Sequence, residues 1–360
     1  MRAVVAAKAG GIPALREVAT TALRPGEVLV EIAGVGICHT DLTALAGYLP
    51  VPTPAVLGHE GAGRVVAIGD EVDGLAPGDA VVLSFSSCGA CPACGKGRPA
   101  YCRAFALLNY SGHRADGSTT LRDNDGDVHG SWFGQSSWAT HAIADVRNAV
   151  KVDDDLPLHR FGPLGCGLLT GAGTVLNVLR PEPGQRLGFW GMGTVGLAGV
   201  MAARAAGVEE IVAVDFHRDR LELARELGAT HVFEPSDDLV GKIRKQVGGL
   251  DATMEAVGSG AVIAQALGAL RSPGICATVG LQGPGNEITV DQGHLLMGRT
   301  LSGVIEGDAD PHTFIPRLVQ MWRDGDFPFE KLVAEYRLDD IATALDDFRA
   351  GRVVKPILVP

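Results

Sequence analysis

Short runs of β-branched and other apolar residues, broken by turns rich in glycine and proline, fill the first 150 residues. Such runs include Glu27–Ile32, Gly63–Ile68 and Ala80–Leu83. They predict short strands in a β-rich domain with long loops. The polar segment Asn109–Gly130 between them predicts a surface loop.

From about Cys166 the pattern changes to apolar strands of five or six residues that alternate with helical stretches. The predicted strands are Leu187–Trp190, Ile211–Asp215, Ala252–Ala256 and Ile275–Val279. Repeated strand–helix units predict a parallel sheet covered by helices on both faces, and thus an α/β fold. After about Ile305 the chain returns to a mixed pattern.

Charge and composition exclude several functions. The formal net charge of −11 argues against binding to nucleic acid or to acidic membrane surfaces. The apolar start of the chain is too short for a signal sequence, and no uncharged apolar stretch of membrane-spanning length follows. We therefore expect a soluble, cytoplasmic protein, in which seven cysteines indicate metal binding or catalysis rather than disulfides.

A glycine motif of the form G-x-G-x-x-G follows the predicted strand Leu187–Trp190. Gly191 would permit the tight turn, Gly193 the approach of a pyrophosphate, and Gly196 close packing of the next helix. Asp215 ends the second strand, where its carboxylate can accept hydrogen bonds from the adenosine ribose and repel a 2′-phosphate. The motif predicts a dinucleotide site that prefers NAD, although Arg218 nearby would tolerate a phosphate.

Four cysteines lie within fifteen residues, with the spacing C-x2-C-x2-C-x7-C. They are Cys88, Cys91, Cys94 and Cys102. Four thiolates on one loop can close around a zinc ion and leave no position for water, which is typical of a structural zinc site. An iron–sulfur cluster is an alternative with the same ligands.

The other cysteines are Cys38, Cys166 and Cys276. Spacing alone does not bring Cys38 and Cys166 together, or either of them to His59. Taken singly, such cysteines are more often small buried apolar residues, and such a histidine is more often structural.

The chain resembles zinc-containing medium-chain alcohol dehydrogenases over essentially its whole length. The resemblance is carried by Gly58–Gly63 (GHEGAG), the four-cysteine segment, Gly165–Gly167 and the glycine motif. Within the family it is closest to aryl-alcohol (benzyl alcohol) and terpene-alcohol dehydrogenases. That closer match is carried by Phe161–Gly167 (FGPLGCG), Thr170–Gly173 (TGAG), Phe133–Thr140 (FGQSSWAT) and Gly303–Asp308 (GVIEGD).

This resemblance implies a GroES-like, zinc-binding catalytic domain over residues 1–166 and 306–360, and a Rossmann NAD-binding domain over 167–305. It implies that Cys38, His59 and Cys166 hold a catalytic zinc, which gives two zinc ions per chain. A bulky apolar primary alcohol, ionised on that zinc, would pass a hydride reversibly to NAD and become an aldehyde. The small-molecule alcohol or aldehyde is the expected partner, and a homodimer or homotetramer the expected assembly.

The resemblance also implies roles for further residues. Asp41 would orient His59, Glu60 would approach the zinc during ligand exchange, and Thr40 would take the alcohol proton. Cofactor contacts are implied for Thr170, Val195, Arg220 and Lys355, and a substrate pocket for Thr40, Trp132, Leu281 and Ile305.

The chain departs from the family at one position. Many relatives carry a proton-relay histidine where this sequence has Thr43. His39 stands where relatives place a group that binds the pyrophosphate. We expect that phosphate contact for His39, with participation in the proton relay as an alternative.

Other functions remain open at this point. A glutathione-dependent formaldehyde dehydrogenase or a general short-chain alcohol dehydrogenase would share the fold. The former needs a basic site for its anionic substrate, and the apolar pocket candidates offer none. A non-catalytic nucleotide-binding protein would have no reason to keep all three ligands of the open zinc site.

Overall fold

The computed structural model describes residues 1–283 and 285–360. The chain divides into two compact units. The first unit comprises Met1–Gly167, Asp310–Pro316 and Leu332–Pro360, and the second comprises Leu168–Ala309 and Arg317–Lys331. Among the described residues, no helix has the length and apolar character needed to cross a membrane.

The amino-terminal part of the first unit is built mainly of strands. These are β1 (Arg2–Ala6), β2 (Ala14–Glu17), β3 (Ala19–Thr20), β4 (Glu27–Gly36), β5 (Ala55–Val56), β6 (Glu60–Ile68), β7 (Ala80–Leu83), β8 (Leu121–Asp123), β9 (Gly126–Val128), β10 (His141–Asp145) and β11 (Ala149–Lys151). Two helices, α1 (His39–Leu45) and α2 (Phe105–Tyr110), lie between them.

Strands and helices then alternate through the second unit. The strands are β12 (Arg186–Trp190), β13 (Glu210–Val214), β14 (His231–Phe233), β15 (Leu250–Glu255), β16 (Leu270–Thr278) and β17 (Arg299–Gly303). The helices are α3 (Gly167–Gly173), α4 (Thr194–Ala205), α5 (Arg218–Leu227), α6 (Leu239–Val247), α7 (Gly260–Ala269) and α8 (Gln292–Leu296). A π-helical stretch, Thr174–Leu179, follows α3. The chain ends with α9 (Pro311–Arg323), β18 (Val333–Arg337), α10 (Ile341–Arg349) and β19 (Lys355–Val359).

The main sheet of the first unit has the order β11-β7-β6-β4-β19-β18, with β10 also paired to β4. Its strands pair antiparallel except for the parallel pair β18–β19. Along β4 the buried side chains alternate, with Val28, Val30 and Ile32 facing the core. The surface loop predicted at Asn109–Gly130 is only partly correct, because β8 and β9 form a hairpin within it. That hairpin is mostly polar, so its sequence lacks the apolar alternation of a strand.

The second unit contains a six-stranded, wholly parallel sheet in the order β14-β13-β12-β15-β16-β17. This is the doubly wound arrangement, in which the strand order reverses between β12 and β15. The α/β fold class predicted from the strand–helix alternation is confirmed. In such sheets ligands bind beyond the carboxyl ends of the strands, at the point where the order reverses.

Candidate active site and coenzyme site

Cys38, His59 and Cys166 converge in the first unit. One sulfur or nitrogen atom from each lies within 4.8 Å of the others. Cys38 follows β4 at the start of α1, His59 directly precedes β6, and Cys166 ends a short 3-10 turn, Gly162–Gly165. Pairing of β4 with β6 brings the first two close, although they are separated along the chain.

His59 is arranged as a metal ligand. Its Nδ1 donates to Asp41 Oδ1 over 2.8 Å, while its Nε2 is buried without a partner among the described residues. Burial alone would lower the pKa of His59, but Asp41 and Cys38 outweigh it and hold that pKa well above its usual value. A buried, unpartnered imidazole nitrogen that faces two cysteines fits a zinc ion.

The thiol of Cys38 has an environment that favours its thiolate form. The hydrogen bond with Cys166, assisted by His59 and Lys355, holds the pKa of Cys38 well below its usual range despite burial. The thiolate is the form that binds zinc. Two thiolates and one imidazole leave the fourth position of a tetrahedral zinc available for substrate, as in catalytic zinc sites.

Asp41 accepts four hydrogen bonds, although the sequence suggested only the one from His59. Its Oδ1 also receives bonds from Gly58 N and from Trp132 Nε1, at 3.2 and 2.9 Å. Its Oδ2 receives Cys38 N at 3.0 Å, which closes the first turn of α1. Asp41 therefore fixes both the helix that carries Cys38 and the ring of His59.

Trp132, which is implied for the substrate pocket, has a fully buried side chain. Its indole N–H is directed at Asp41. Leu281, half-exposed, and Ile305, partly exposed, belong to the second unit. Their contribution to a substrate pocket stays a prediction.

Lys355, for which a pyrophosphate contact is implied, lies beside Glu60, and that contact stays a prediction. At the start of β19, its ammonium donates to Glu60 Oε2 over 2.7 Å and to the carbonyl of Ile37 over 3.0 Å. Its side chain is only 3% exposed. Burial would lower the pKa of Lys355, but the buried carboxylate of Glu60 raises it above its usual value. The lysine thus forms a buried ion pair with Glu60. The other carboxylate oxygen of Glu60 accepts a hydrogen bond from Gly167 N, next to Cys166.

The residues after Cys38 occupy the first turns of α1. The Thr40 hydroxyl lies 3.6 Å from Cys38 Sγ, close to the three ligands. Thr43 donates its hydroxyl to the carbonyl of His39. His39 is exposed, and its ring lies 4.4 Å from that of Phe348.

The four-cysteine cluster forms as the spacing predicts. Cys88, Cys91, Cys94 and Cys102 each place a sulfur within 4.8 Å of the others. Backbone N–H groups point at these sulfurs, including Cys88 N to Cys102 Sγ and Ala104 N to the same sulfur. Bonds from Cys94 and Arg103 lower the pKa of Cys91 to about 6. A set of four sulfurs with N–H donors suits a closed zinc site.

The glycine motif of the second unit has the predicted geometry. Gly191 has a φ of +89° at the end of β12, and Gly193 caps α4. A Cβ at Gly193 would meet no atom within 4 Å, whereas one at Gly196 would lie 1.8 Å from the carbonyl oxygen of Gly191. Space is therefore kept beside the helix start, where a phosphate group can meet free N–H groups.

Asp215 sits beside this turn. Its Oδ2 accepts Met192 N over 2.6 Å and its Oδ1 accepts His217 N over 2.8 Å. Arg220 is partly buried near Asp215, and burial lowers the pKa of its guanidinium. Val195 lies in the first turn of α4, and the hydroxyl of Thr170 in α3 donates to Glu306.

Comparison with known proteins agrees with this architecture. Residues 24–154 match the family described as alcohol dehydrogenase GroES-like domain, and residues 194–322 match the zinc-binding dehydrogenase family. A geraniol dehydrogenase of Castellaniella defragrans is 44% identical over 99% of this chain and 97% of its own length.

Two solved structures are also similar. One is an alcohol dehydrogenase zinc-binding domain protein from Burkholderia ambifaria, 46% identical, with a TM-score of 0.98 over 100% of this chain and 98% of that one. The other is the benzyl alcohol dehydrogenase of Acinetobacter calcoaceticus, 41% identical, with a TM-score of 0.96 over 99% and 98%. The chain belongs to the zinc-containing medium-chain alcohol dehydrogenase family. It is an oxidoreductase whose cofactors are zinc and a nicotinamide dinucleotide.

The sequence did not indicate the buried polar side chains that hold the backbone at His59 and next to Cys166. Gln135 and Ser84 are fully buried and hydrogen-bonded near His59 and Cys166, yet neither was assigned a role. The available signal was the position of Gln135 within Phe133–Thr140, the segment that carried the subfamily resemblance.

Proposed function

We propose that this enzyme oxidises a bulky, apolar primary alcohol of the aryl or allylic terpene type to its aldehyde, reversibly and with NAD. The convergence of Cys38, His59 and Cys166, with a buried imidazole nitrogen facing the sulfurs, carries the proposal. The similar geraniol and benzyl alcohol dehydrogenases support the substrate class.

The catalytic roles follow from the residues around the ligands. Zinc, when bound by these three side chains, acts as a Lewis acid that makes the alcohol hydroxyl more acidic. Asp41 keeps the Nδ1 proton of His59 in place, so that Nε2 presents its lone pair to the metal site. The Thr40 hydroxyl accepts the proton that the alcohol loses and gives up its own proton at the same time. Because the Thr43 hydroxyl donates to a backbone carbonyl, the proton leaves towards His39 or directly to solvent.

The coenzyme is proposed to bind along the carboxyl edge of the parallel sheet. Its pyrophosphate would meet the amino end of α4 at Gly193, with Val195 and Thr170 towards the nicotinamide. Asp215 and Arg220 lie at the end proposed for the adenosine ribose, where the carboxylate would disfavour a 2′-phosphate. We expect NAD to exceed NADP in kcat/KM by about tenfold or more, which corresponds to about 1.4 kcal/mol.

The four cysteines are proposed to hold a second, structural zinc, which gives two zinc ions per chain. We assign the first unit as the catalytic domain and the second as the coenzyme domain. The protein is proposed to act in the cytoplasm as a homodimer or homotetramer.

The test compares kcat/KM for benzyl alcohol, geraniol, ethanol and the glutathione adduct of formaldehyde, each with NAD and with NADP, together with the zinc content of the purified enzyme. We expect the two bulky alcohols and NAD to be preferred, and about two zinc ions per chain. An apolar lining discriminates by about 1–3 kcal/mol for each well-placed methylene. A preference for ethanol would refute the substrate class but not the zinc chemistry. A preference for the glutathione adduct of formaldehyde would favour the alternative activity.

Two variants separate the metal sites. Cys166→Ser should abolish turnover while the four-cysteine zinc and NAD binding remain. Cys94→Ser should instead remove the structural zinc. Full turnover in Cys166→Ser would refute the catalytic assignment.

A further inference from the structure

A single buried amide connects the segments that carry two of the zinc ligands. Gln135 Nε2 donates to the carbonyl of His59 over 3.0 Å and to the carbonyl of Ser84 over 3.2 Å. The Ser84 hydroxyl in turn donates over 2.7 Å to the carbonyl of Gly165, the residue before Cys166. A chain of hydrogen bonds thus runs from His59 through Gln135 and Ser84 to the neighbour of Cys166.

The orientation of the Gln135 amide is determined by its partners. Its Oε1 accepts Gly61 N over 3.1 Å and the Ser137 hydroxyl over 2.7 Å. The backbone N–H on one side can only donate, and the two carbonyls on the other can only accept. All four hydrogen-bonding positions of the amide are used, and Gln135, Ser137 and Ser84 are fully buried. A fully satisfied buried network is rigid and specifies one arrangement of its members.

The segment around Gln135 is strained, and it also contacts the imidazole. Phe133 and Ser136, neither a glycine, both have a φ of +50°. A non-glycine backbone in this region is unfavourable and persists where the surroundings enforce it, often at functional sites. The ring of Phe133 stacks on His59 with centroids 4.3 Å apart and 20° between the planes. One short segment therefore contacts both the backbone and the ring of this ligand.

We infer that Gln135 is a positioning residue that, with Ser84, sets the separation of His59 from Cys166 and so the affinity of the open site for zinc. The inference rests on the proposed catalytic zinc. Neither side chain needs to touch the metal, since each acts on the backbone that carries a ligand. In the part of the chain that the structure describes, the hydrogen bonds of this network involve none of the four clustered cysteines, so their site provides an internal reference within the same molecule.

The experiment measures the rate at which zinc passes from the purified holoenzyme to a colorimetric chelator. Two kinetic phases of zinc release are expected, one from each site. Variant Cys166→Ser identifies the phase that belongs to the four-cysteine zinc. Variant Gln135→Met keeps a similar volume and removes the amide. We expect it to lower the zinc affinity of the open site about 10–100-fold, the usual effect of removing a group that orients a ligand, and so to speed release of that zinc by a similar factor. Ser84→Ala removes only the hydroxyl link to Gly165, and we expect acceleration of about fivefold, equivalent to one hydrogen bond. The four-cysteine phase should not change in either variant.

Thr253→Val is the matched control. Thr253 is fully buried in the second unit and donates its hydroxyl to the Ala266 carbonyl, so the variant loses a comparable bond in the unit that carries neither metal site. Wild-type release rates in Gln135→Met, or equal acceleration of both zinc phases there, would overturn the inference. If Gln135→Met does not fold, Ser84→Ala decides on the same criterion. Absence of open-site zinc from the wild type would refute the proposed function itself, which is a different result.

Discussion

The indole Nε1 of Trp132 donates to the Asp41 oxygen that also receives the Nδ1 proton of His59, over 2.9 and 2.8 Å. Two ring N–H groups from distant parts of the chain thus share one carboxylate oxygen. Because the tryptophan is fully buried, we expect it to shape the site by holding Asp41 and not by contacting an alcohol.

Replacing Trp132 by phenylalanine tests this role. Trp132→Phe keeps an aromatic ring but removes the donor, and we expect unfolding free energy to fall by about 1–3 kcal/mol. The ratio of kcat/KM for benzyl alcohol to that for ethanol should not change. Denaturant unfolding and the two substrate assays check both statements. A large change in the kcat/KM ratio would show that Trp132 lines the substrate pocket.

Removal of the Lys355 ammonium leaves the carboxylate of Glu60 buried and unpaired. We therefore expect Lys355→Met to lose about 3–5 kcal/mol of stability, as for other broken buried pairs. The double variant Lys355→Met/Glu60→Gln should recover part of that loss, because no uncompensated charge remains. Chemical denaturation measures both. A loss of coenzyme affinity at unchanged stability would instead support the pyrophosphate contact that the sequence suggested.

The second and third glycines of the coenzyme turn offer a matched pair. Gly193 has φ −81° and ψ −169°, which alanine can adopt, and an added Cβ there meets nothing. We expect Gly193→Ala to fold normally but to raise the Kd for NAD about tenfold, or 1.4 kcal/mol, because the methyl group occupies the approach of the phosphate.

Gly196→Ala should behave in the opposite way. Its Cβ would press on the carbonyl of Gly191, and overpacking of this kind costs about 1–3 kcal/mol of stability. Calorimetry of binding and thermal unfolding of both variants test the pair. Equal effects of the two alanines on NAD affinity and on stability would contradict the separate roles of these glycines.

Glu255 at the end of β15 predicts a pH effect on stability. Burial raises the pKa of Glu255, although bonds from Gly258 N and Val257 N oppose this. A raised folded-state pKa gives stability that is complete below the unfolded value and is lost as pH rises through the folded value.

Glu255→Gln cannot lose a proton, so its stability relative to the wild type should improve as pH rises from about 4 towards neutrality. Denaturation at several pH values gives the difference, with Glu287→Gln, an exposed carboxyl, as the control. A difference that does not vary with pH would show that Glu255 titrates alike in both states.

What the sequence could predict depended on how local each feature is. The glycine turn with Asp215 and the four-cysteine segment lie within short stretches, so their spacing was sufficient. Pairing of β4 with β6 brings Cys38 and His59 together, and Cys166 joins them from more than a hundred residues further along the chain, so only the family resemblance linked the three.

The hydrogen bonds of Trp132 and Lys355 could not be predicted from the sequence. The position of each residue in the chain was known, but the direction of its side chain depends on packing that no local pattern encodes. The hairpin β8–β9 escaped prediction for a related reason, since few of its residues are buried and apolar.

Cys276, the cysteine outside both clusters, has a practical consequence. It is completely buried in the core of the parallel sheet, where burial raises the pKa of its thiol to about 11. Alkylating reagents attack thiolates, so we expect this thiol not to react in the folded protein. The other six of the seven cysteines all belong to the two clusters. The number of thiols that react in the native protein therefore measures metal occupancy, because each reactive thiol belongs to a cluster that has lost its metal.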